Sequence, residues 1–398
     1  MIRIVLATWF PRDPAAPCGG VEAVSANLTR ALARMAGTEI HVVTFDELIG
    51  TPERHDWEGA TIHRLPRRSG SLLGFARGEG RRRLGEFFRC LRPDVVHAHD
   101  TYGIMTRGLD LPRVLTIHGF VHEDLHYEGG WKALIRVALW KREELATWAE
   151  QPHIISISPY VRERLRGIAR GVIHDIDNPI DDACFEIQRC EDPGRVFSAA
   201  VICRRKNQQT LVDAVAQLSP GSRVRLRLAG PVGEEDYGEH LKTSIRERGL
   251  QQRVELLGSL SGAEVREELA TAAVFALTSF EEGAPMGIAE AMAAGVPILA
   301  SNRCGMPYMV RHGETGFLVT PHRPDEIAAR LGELLENKEL RQQMAKTARR
   351  FAEEHFHPDR VAQRTLRVYR AAINPDTLHF PGVDALMTQP NHPHEIEL

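Results

Sequence analysis

No stretch of the 398-residue chain approaches 18 consecutive apolar residues, the length that a membrane-crossing helix needs, so no span is expected. The six cysteines, Cys18, Cys90, Cys184, Cys190, Cys203 and Cys304, form no CxxC pair. Scattered thiols of this kind point to a reduced, cytoplasmic protein. Neither charge sign is in excess. The formal net charge is -3 with 26% charged residues, which does not suit a nucleic-acid binder with its basic domain or stripe. The dinucleotide fingerprint GxGxxG is missing, and so is any short-period repeat. The opening MIRIVLATWF runs straight into a loop and reads as a first β-strand, not a signal peptide. The chain is too long for one compact α/β core and suits two domains.

What is present is concentrated between Ser279 and Ala300, SFEEGAPMGIAEAMAAGVPILA. An apolar run, Val274 to Leu277, precedes it and reads as a strand. A polar, glycine-bearing loop follows from Glu281 to Gly287, then a small-residue helix over 288–294 that Gly295 stops, then a strand from Val296. Strand, loop, helix, strand is the grammar of a parallel α/β sheet, whose ligands bind at the carboxyl ends of the strands. Glu282 and Glu290, with seven residues between them, fall there, one in the loop and one in the first helical turn.

These residues resemble the signature of retaining glycosyltransferases of the two-Rossmann-domain (GT-B) architecture, family 4 (glycosyl transferases group 1) type. Its hallmark is Glu-x7-Glu followed by Ala-Met-Ala-x-Gly-x-Pro, here Glu282, Glu290 and Ala291 to Pro297. The resemblance covers residues 2–372. It implies an α/β fold of two Rossmann-like βαβ domains facing each other across a cleft. The expected division is an acceptor-side domain over 1–178 completed by a helix over 358–372, a linker over 179–194, a nucleotide-sugar domain over 195–357, and a flexible tail over 374–398.

In the first half, Gly19-Gly20 stands between a strand over 2–8 and a helix. Glycines there allow close approach, and a helix start offers free N–H groups. The resemblance places Gly20 near donor phosphates and Gly19 on the acceptor side. Strands are also expected over 39–45, 60–65, 94–99, 114–118, 153–158 and 172–176. His97 and His99 alternate onto one strand face, and His118 falls at a carboxyl strand end. The resemblance puts His118 near the reacting centre and His99 and Asn178 on the acceptor side. Asn178-Pro179-Ile180-Asp181 departs from the family's Asn-Gly-Val-Asp by its proline. A metal cluster of His97, His99, His118, His122, Glu123, Asp124 and His126 is the minor alternative, and no metal or other cofactor is expected.

Between Arg64 and Arg92 there are nine arginines against Glu79 and Glu86, a local charge of +7. Interleaved leucines and phenylalanines make the segment amphipathic. Two readings stay open: a solvated helix whose arginine stems cover apolar area, or a surface for an anionic membrane or a phosphorylated acceptor.

In the second half, Lys206 matches the family's diphosphate-binding lysine, but Val201 stands where its arginine is expected. Arg204 and Arg205 are the candidates to replace it, because two phosphates need cations at short range. Three positive charges beside a helix start are mismatched with its dipole, which suggests an anion there. The resemblance adds Gly230, Leu260 and the loop Gly283, Ala284, Pro285, Met286 and Gly287 to the donor site. It gives Glu282 the sugar hydroxyls and Glu290 the ribose, and makes His118, Lys206 and Glu282 the catalytic set. The implied reaction moves a hexose-type sugar from a UDP- or GDP-sugar to a hydroxyl acceptor, a sugar or lipid-linked precursor among them. The protein is expected to be a cytoplasmic monomer or homodimer, with peripheral contact at the inner membrane face as the open variant. A catalytically inactive nucleotide-sugar-binding protein and an epimerase or hydrolase of similar build are the alternatives.

Overall fold

A computed structural model describes residues 1–124, 131–219 and 221–374. The tail expected over 374–398 lies, apart from Asn374, outside the described residues, as does His126. The strands of the first half are β1 (Ile2–Ala7), β2 (Thr38–Asp46), β3 (Glu53–Trp57), β4 (Ala60–Pro66), β5 (Val95–His99), β6 (Arg113–Ile117), β7 (His153–Ser156) and β8 (Val172–Asp175). Its helices are α1 (Gly20–Ala33), α2 (Leu72–Phe75), α3 (Arg81–Leu91), α4 (Tyr102–Met105), α5 (Val121–Asp124), α6 (Trp131–Glu150) and α7 (Pro159–Leu165), with one π-helical turn, Ala76–Gly80, between α2 and α3. The eight strands form one sheet in the order β3-β4-β2-β1-β5-β6-β7-β8. Every pairing is parallel except β3 with β4.

The central strands are apolar runs buried on both faces, as parallel strands under two helix layers must be. β3 was not anticipated. Its sequence, ERHDW, is almost wholly exposed. It holds the edge through a tight hairpin in which Glu58 and Gly59 both take positive φ, the turn type whose twist matches the strands.

The second half carries β9 (Arg195–Ala199), β10 (Arg225–Ala229), β11 (Val254–Gly258), β12 (Val274–Leu277), β13 (Ile298–Ser301) and β14 (Gly316–Val319). They form an all-parallel sheet in the order β11-β10-β9-β12-β13-β14. Around it lie α8 (Gln208–Gln217), α9 (Glu235–Glu247), α10 (Gly262–Thr271), α11 (Met286–Ala293), α12 (Met306–Met309), α13 (Pro324–Glu336) and α14 (Lys338–His355). Two helices are capped by their own leading residues: Ser158 accepts from the Val161 N–H with Pro159 inside the first turn, and Ser261 with Glu264 closes a reciprocal capping box. The final helix, α15 (Pro358–Ile373), crosses back. Val361, Leu366, Val368 and Tyr369 pack with Leu6, Leu28 and Val95 in the first sheet's core.

Both sheets reverse strand order beside their first strand. In the first, β1 lies between β2 and β5; in the second, β9 lies between β10 and β12. Loops leaving neighbouring strands at such a point diverge to opposite faces and leave a crevice. The crevice in the second sheet is flanked by the loops after β9 and β12, which contain Lys206 and Glu282. No helix among the described residues is long and apolar enough to cross a membrane.

Candidate active site

The loop after β9 forms a single 3-10 turn, Arg204–Lys206, before Asn207 takes a left-handed conformation with φ of 55°. Asparagine tolerates that region better than most side chains. The Asn207 amide donates to the carbonyls of Thr278 and Pro321 at 3.0 and 2.8 Å, and Thr278 Oγ1 donates back to the Asn207 carbonyl. The Phe280 N–H donates to the Arg205 carbonyl at 2.9 Å. The loops after β9 and β12 are thus tied together.

Within that frame the cations separate. Lys206 Nζ forms an ion pair with Glu282 Oε1. Arg205 donates to the Glu281 carbonyl at 2.8 Å and lies 3.8 Å from Glu282 Oε2. Arg204 turns the other way, with its guanidinium held by Asp236 at 2.6 and 3.1 Å and by Glu234. Two cations therefore converge on one buried carboxylate. Arg205, Lys206 and Glu282 taken by themselves carry one net positive charge, close before the amino end of α11. Val201 is substantially exposed and brings no charge.

α11 begins at Met286, two residues earlier than the pattern suggested, so Glu290 sits in its second turn. Glu290 faces Asp181 and Arg266 rather than Lys206. Burial, with the neighbouring Asp181, pushes its carboxyl up to about 7, partly offset by Arg266. Gly230 presses against the Ala200 carbonyl, where an added Cβ would lie 2.0 Å away. Leu260, Ala284 and Met286 each pack against the core beneath α11.

The first domain meets this loop directly. A Cβ on Gly283 would stand 3.1 Å from the His118 carbonyl oxygen, and one on Gly305 would stand 1.8 Å from the Gly283 carbonyl oxygen. Glycine at both positions lets three strips of backbone stack. Ser158 Oγ donates to the Gly283 carbonyl at 2.9 Å, and Gly20 faces Met286. Gly19 precedes α1 in extended backbone and supplies no side-chain cap.

Below His118 runs a line of histidines. His118 Nε2 is 3.1 Å from His99 Nδ1. The His99 and His97 rings lie 4.6 Å apart. His97 is hydrogen-bonded to Thr116 Oγ1 at 2.6 Å and to Tyr369 Oη at 2.7 Å. Burial lowers His118 to about 4 and His97 to about 3, and holds His99 well below its ordinary value. All three are neutral near pH 7. Asn178 lines the same small cavity as His97, His99 and His118. Backbone N–H of His118 donates to Asp100 at 2.7 Å. His122 is drawn away by Glu144, 2.6 Å from Nδ1. Among the described residues no group of three or more His, Cys, Asp or Glu is placed to hold a metal ion.

Three structural contributors were not read from the sequence. They are Ser158, Gly305 and the clamp of Glu234 and Asp236 on Arg204. The last two need long-range contacts that no local pattern announces.

Comparison with solved structures places the architecture. The chain superposes on sucrose-phosphate synthase from Thermosynechococcus elongatus with a TM-score of 0.78 at 20% identity, covering 93% of this chain and 98% of that one. Against Anabaena HepE in complex with UDP-glucose the TM-score is 0.70 at 18% identity, over 93% and 100% of the two chains. The fold is that of GT-B glycosyltransferases. Residues 18–183 match Glycosyltransferase Family 4 and residues 181–351 match Glycosyl transferases group 1, so the two descriptions meet at the junction of the two sheets. The chain belongs to this family and is a glycosyltransferase. A curated relative, the MMP alpha-(1->4)-mannosyltransferase of Mycolicibacterium hassiacum, is 29% identical over 300 residues, 70% of this chain and 71% of that one.

Proposed function

We infer that the protein transfers a hexose-type sugar from a UDP- or GDP-sugar to a hydroxyl acceptor with retention of anomeric configuration. The observation that carries this is the convergence of Arg205 and Lys206 on Glu282, in the loop whose next residue, Gly283, packs against the His118 carbonyl. A donor diphosphate takes the two cations, and Glu282, released from Lys206, accepts hydrogen bonds from the sugar hydroxyls. Arg205, rather than the outward-held Arg204, stands in for the arginine missing at Val201. Glu290 receives the ribose. HepE in complex with UDP-glucose supports a nucleotide sugar as the donor class, and the relative named a mannosyltransferase supports a hexose as the group moved.

In the reaction the bond from the anomeric carbon to the diphosphate oxygen breaks. The acceptor oxygen bonds to that carbon on the same face, and its proton passes to the departing phosphate oxygen. Negative charge grows on the leaving group, where Arg205, Lys206 and the backbone N–H groups of Gly283, Ala284, Met286 and Gly287 stabilise it without a metal ion. Pro285 has no N–H to offer. The first domain closes the site from above with neutral imidazoles and excludes water that would hydrolyse the donor.

The test is ligand-observed NMR of the purified protein with an equimolar panel of nucleotide sugars, with Glu290→Ala as control. Binding of one donor that the control abolishes supports the reading and names the donor. Binding of none contradicts it and favours a protein whose diphosphate site lost its function at Val201.

A further inference from the structure

Apart from the cleft, the first domain has a second polar cavity, of about 290 Å³, lined by Arg77, Arg81, Ile104, Arg107 and Glu143. Its arginines are only partly neutralised where they stand. Glu143 Oε1 is 3.4 Å from Arg77 Nε, and its Oε2 is 3.1 Å from Arg107 Nη1. Glu150 pairs with Arg107 and Arg113 at 3.1 and 3.6 Å. Arg81 donates only to the Arg107 carbonyl, at 2.6 Å, and has no carboxylate partner among the described residues. Among the described residues, the four guanidinium groups of Arg77, Arg81, Arg107 and Arg113 against the two carboxylates of Glu143 and Glu150 leave a net charge of +2. Arg77 belongs to the π-helical turn Ala76–Gly80, a local irregularity often found at functional sites.

The ligand chemistry follows from two features. Planar guanidinium forks match phosphate oxygens better than a point charge does, and a +2 excess matches a phosphomonoester. On α6, Ile135, Leu139 and Glu143 follow one another at i, i+4 spacing and so share a helix face. Ile135 and Leu139 are 52% and 43% exposed, and Leu134 beside them is 64% exposed. An uncovered apolar stripe therefore leads to the charged cavity. A soluble phosphate would leave that stripe bare, whereas a lipid covers it. Ile104 is also a wall of a smaller cavity that reaches Asp100 and Gly119, at the carboxyl ends of β5 and β6.

We propose that Arg77, Arg81 and Arg107 form a site for the phosphate headgroup of a membrane lipid, with its hydrocarbon lying along Leu134, Ile135 and Leu139. The site is separate from the donor crevice and does not depend on the reading of that crevice.

Flotation of the full chain with phosphatidylcholine vesicles, with and without phosphatidic acid, tests it. The protein is expected to float only with phosphatidic acid. Arg77→Gln with Arg81→Gln is expected to weaken that binding on the order of thirtyfold. Arg82→Gln with Arg89→Gln removes the same charge outside the cavity and is expected to weaken it only a few-fold. Leu139→Asn is expected to reduce flotation while binding of inorganic phosphate, read by calorimetry, stays unchanged. Unchanged thermal midpoints establish that each variant is folded. Equal losses from the two arginine pairs would mean a diffuse field rather than a site and would overturn the proposal. Failure to float, or tight binding of inorganic phosphate with no vesicle binding, would overturn it as well. Donor binding by the wild-type protein is measured separately, so the two readings fail separately.

Discussion

The two sides of the crevice use opposite electrostatics. The second domain presents Arg205, Lys206, Glu282 and Glu290, a set in which charged groups are concentrated. The first domain presents His118, His99 and His97, three groups that burial keeps neutral. A charged wall suits a nucleoside diphosphate, whose phosphates must be neutralised as the leaving group departs. A neutral wall suits an uncharged hydroxyl, and it avoids competing with the cations opposite. The same fold unit, repeated, has been given two surfaces by the residues at its strand ends.

The comparison can be broken at several points, from the largest effect to the smallest. Lys206→Ala removes the cation paired with Glu282, and kcat/KM is expected to fall on the order of 10²–10³ with little change in thermal midpoint. Steady-state kinetics with the identified donor checks this. Arg205→Ala is expected to cost roughly tenfold or more in kcat/KM, and Arg204→Ala less than about threefold, because only Arg205 faces the crevice. Equal effects would mean that the clamp of Glu234 and Asp236 on Arg204 opens when donor binds.

The neutral wall predicts a stability dependence on pH. His97 has a folded pKa near 3 against an ordinary value of 6.5. The unfolded chain therefore binds more protons in that window, and stability rises with pH through it. The contribution is complete above about 6.5 and is lost as pH falls toward about 3, on the order of 5 kcal/mol in total. Urea unfolding at stepped pH measures it, with Tyr369→Phe expected to lower stability by about 1–3 kcal/mol by leaving a buried partner unmet. A flat profile would mean that the histidines are hydrated and the wall is not neutral by burial.

The smallest effect concerns Glu290. Its carboxyl is pushed up to about 7, so half of it is protonated near neutrality. Hydrogen bonds from ribose hydroxyls favour the ionised form. Donor affinity is therefore expected to rise several-fold as pH increases through about 7, and Glu290→Gln is expected to flatten the dependence. Calorimetric titration across that range reads both.

Much of this was legible in the sequence because it is local. The string from Glu282 to Pro297 announced a loop, a helix and a strand in that order, with the helix beginning two residues before the expected position. Strand β3 was not legible because ERHDW is charged on both faces, and its hairpin rather than its side chains makes it a strand. The direction of Arg204 was not legible either. It is decided by Glu234 and Asp236, some thirty residues on, in a loop that folds back only once β9 and β10 pair. The histidine line needed β5, β6 and α15 together, and Tyr369 is 272 residues from the His97 ring it holds. Spacing reports what lies on one element; it does not report what a neighbouring element brings.

The central claim is that Arg205 and Lys206 recognise the donor's diphosphate. The most direct measurement is calorimetric affinity for the donor's nucleoside diphosphate and for the matching monophosphate, in wild type and in Lys206→Ala. The account predicts a clear preference for the diphosphate in wild type that collapses in the variant. A preference that survives the loss of Lys206 unchanged would contradict it, and would place the phosphates elsewhere in the molecule.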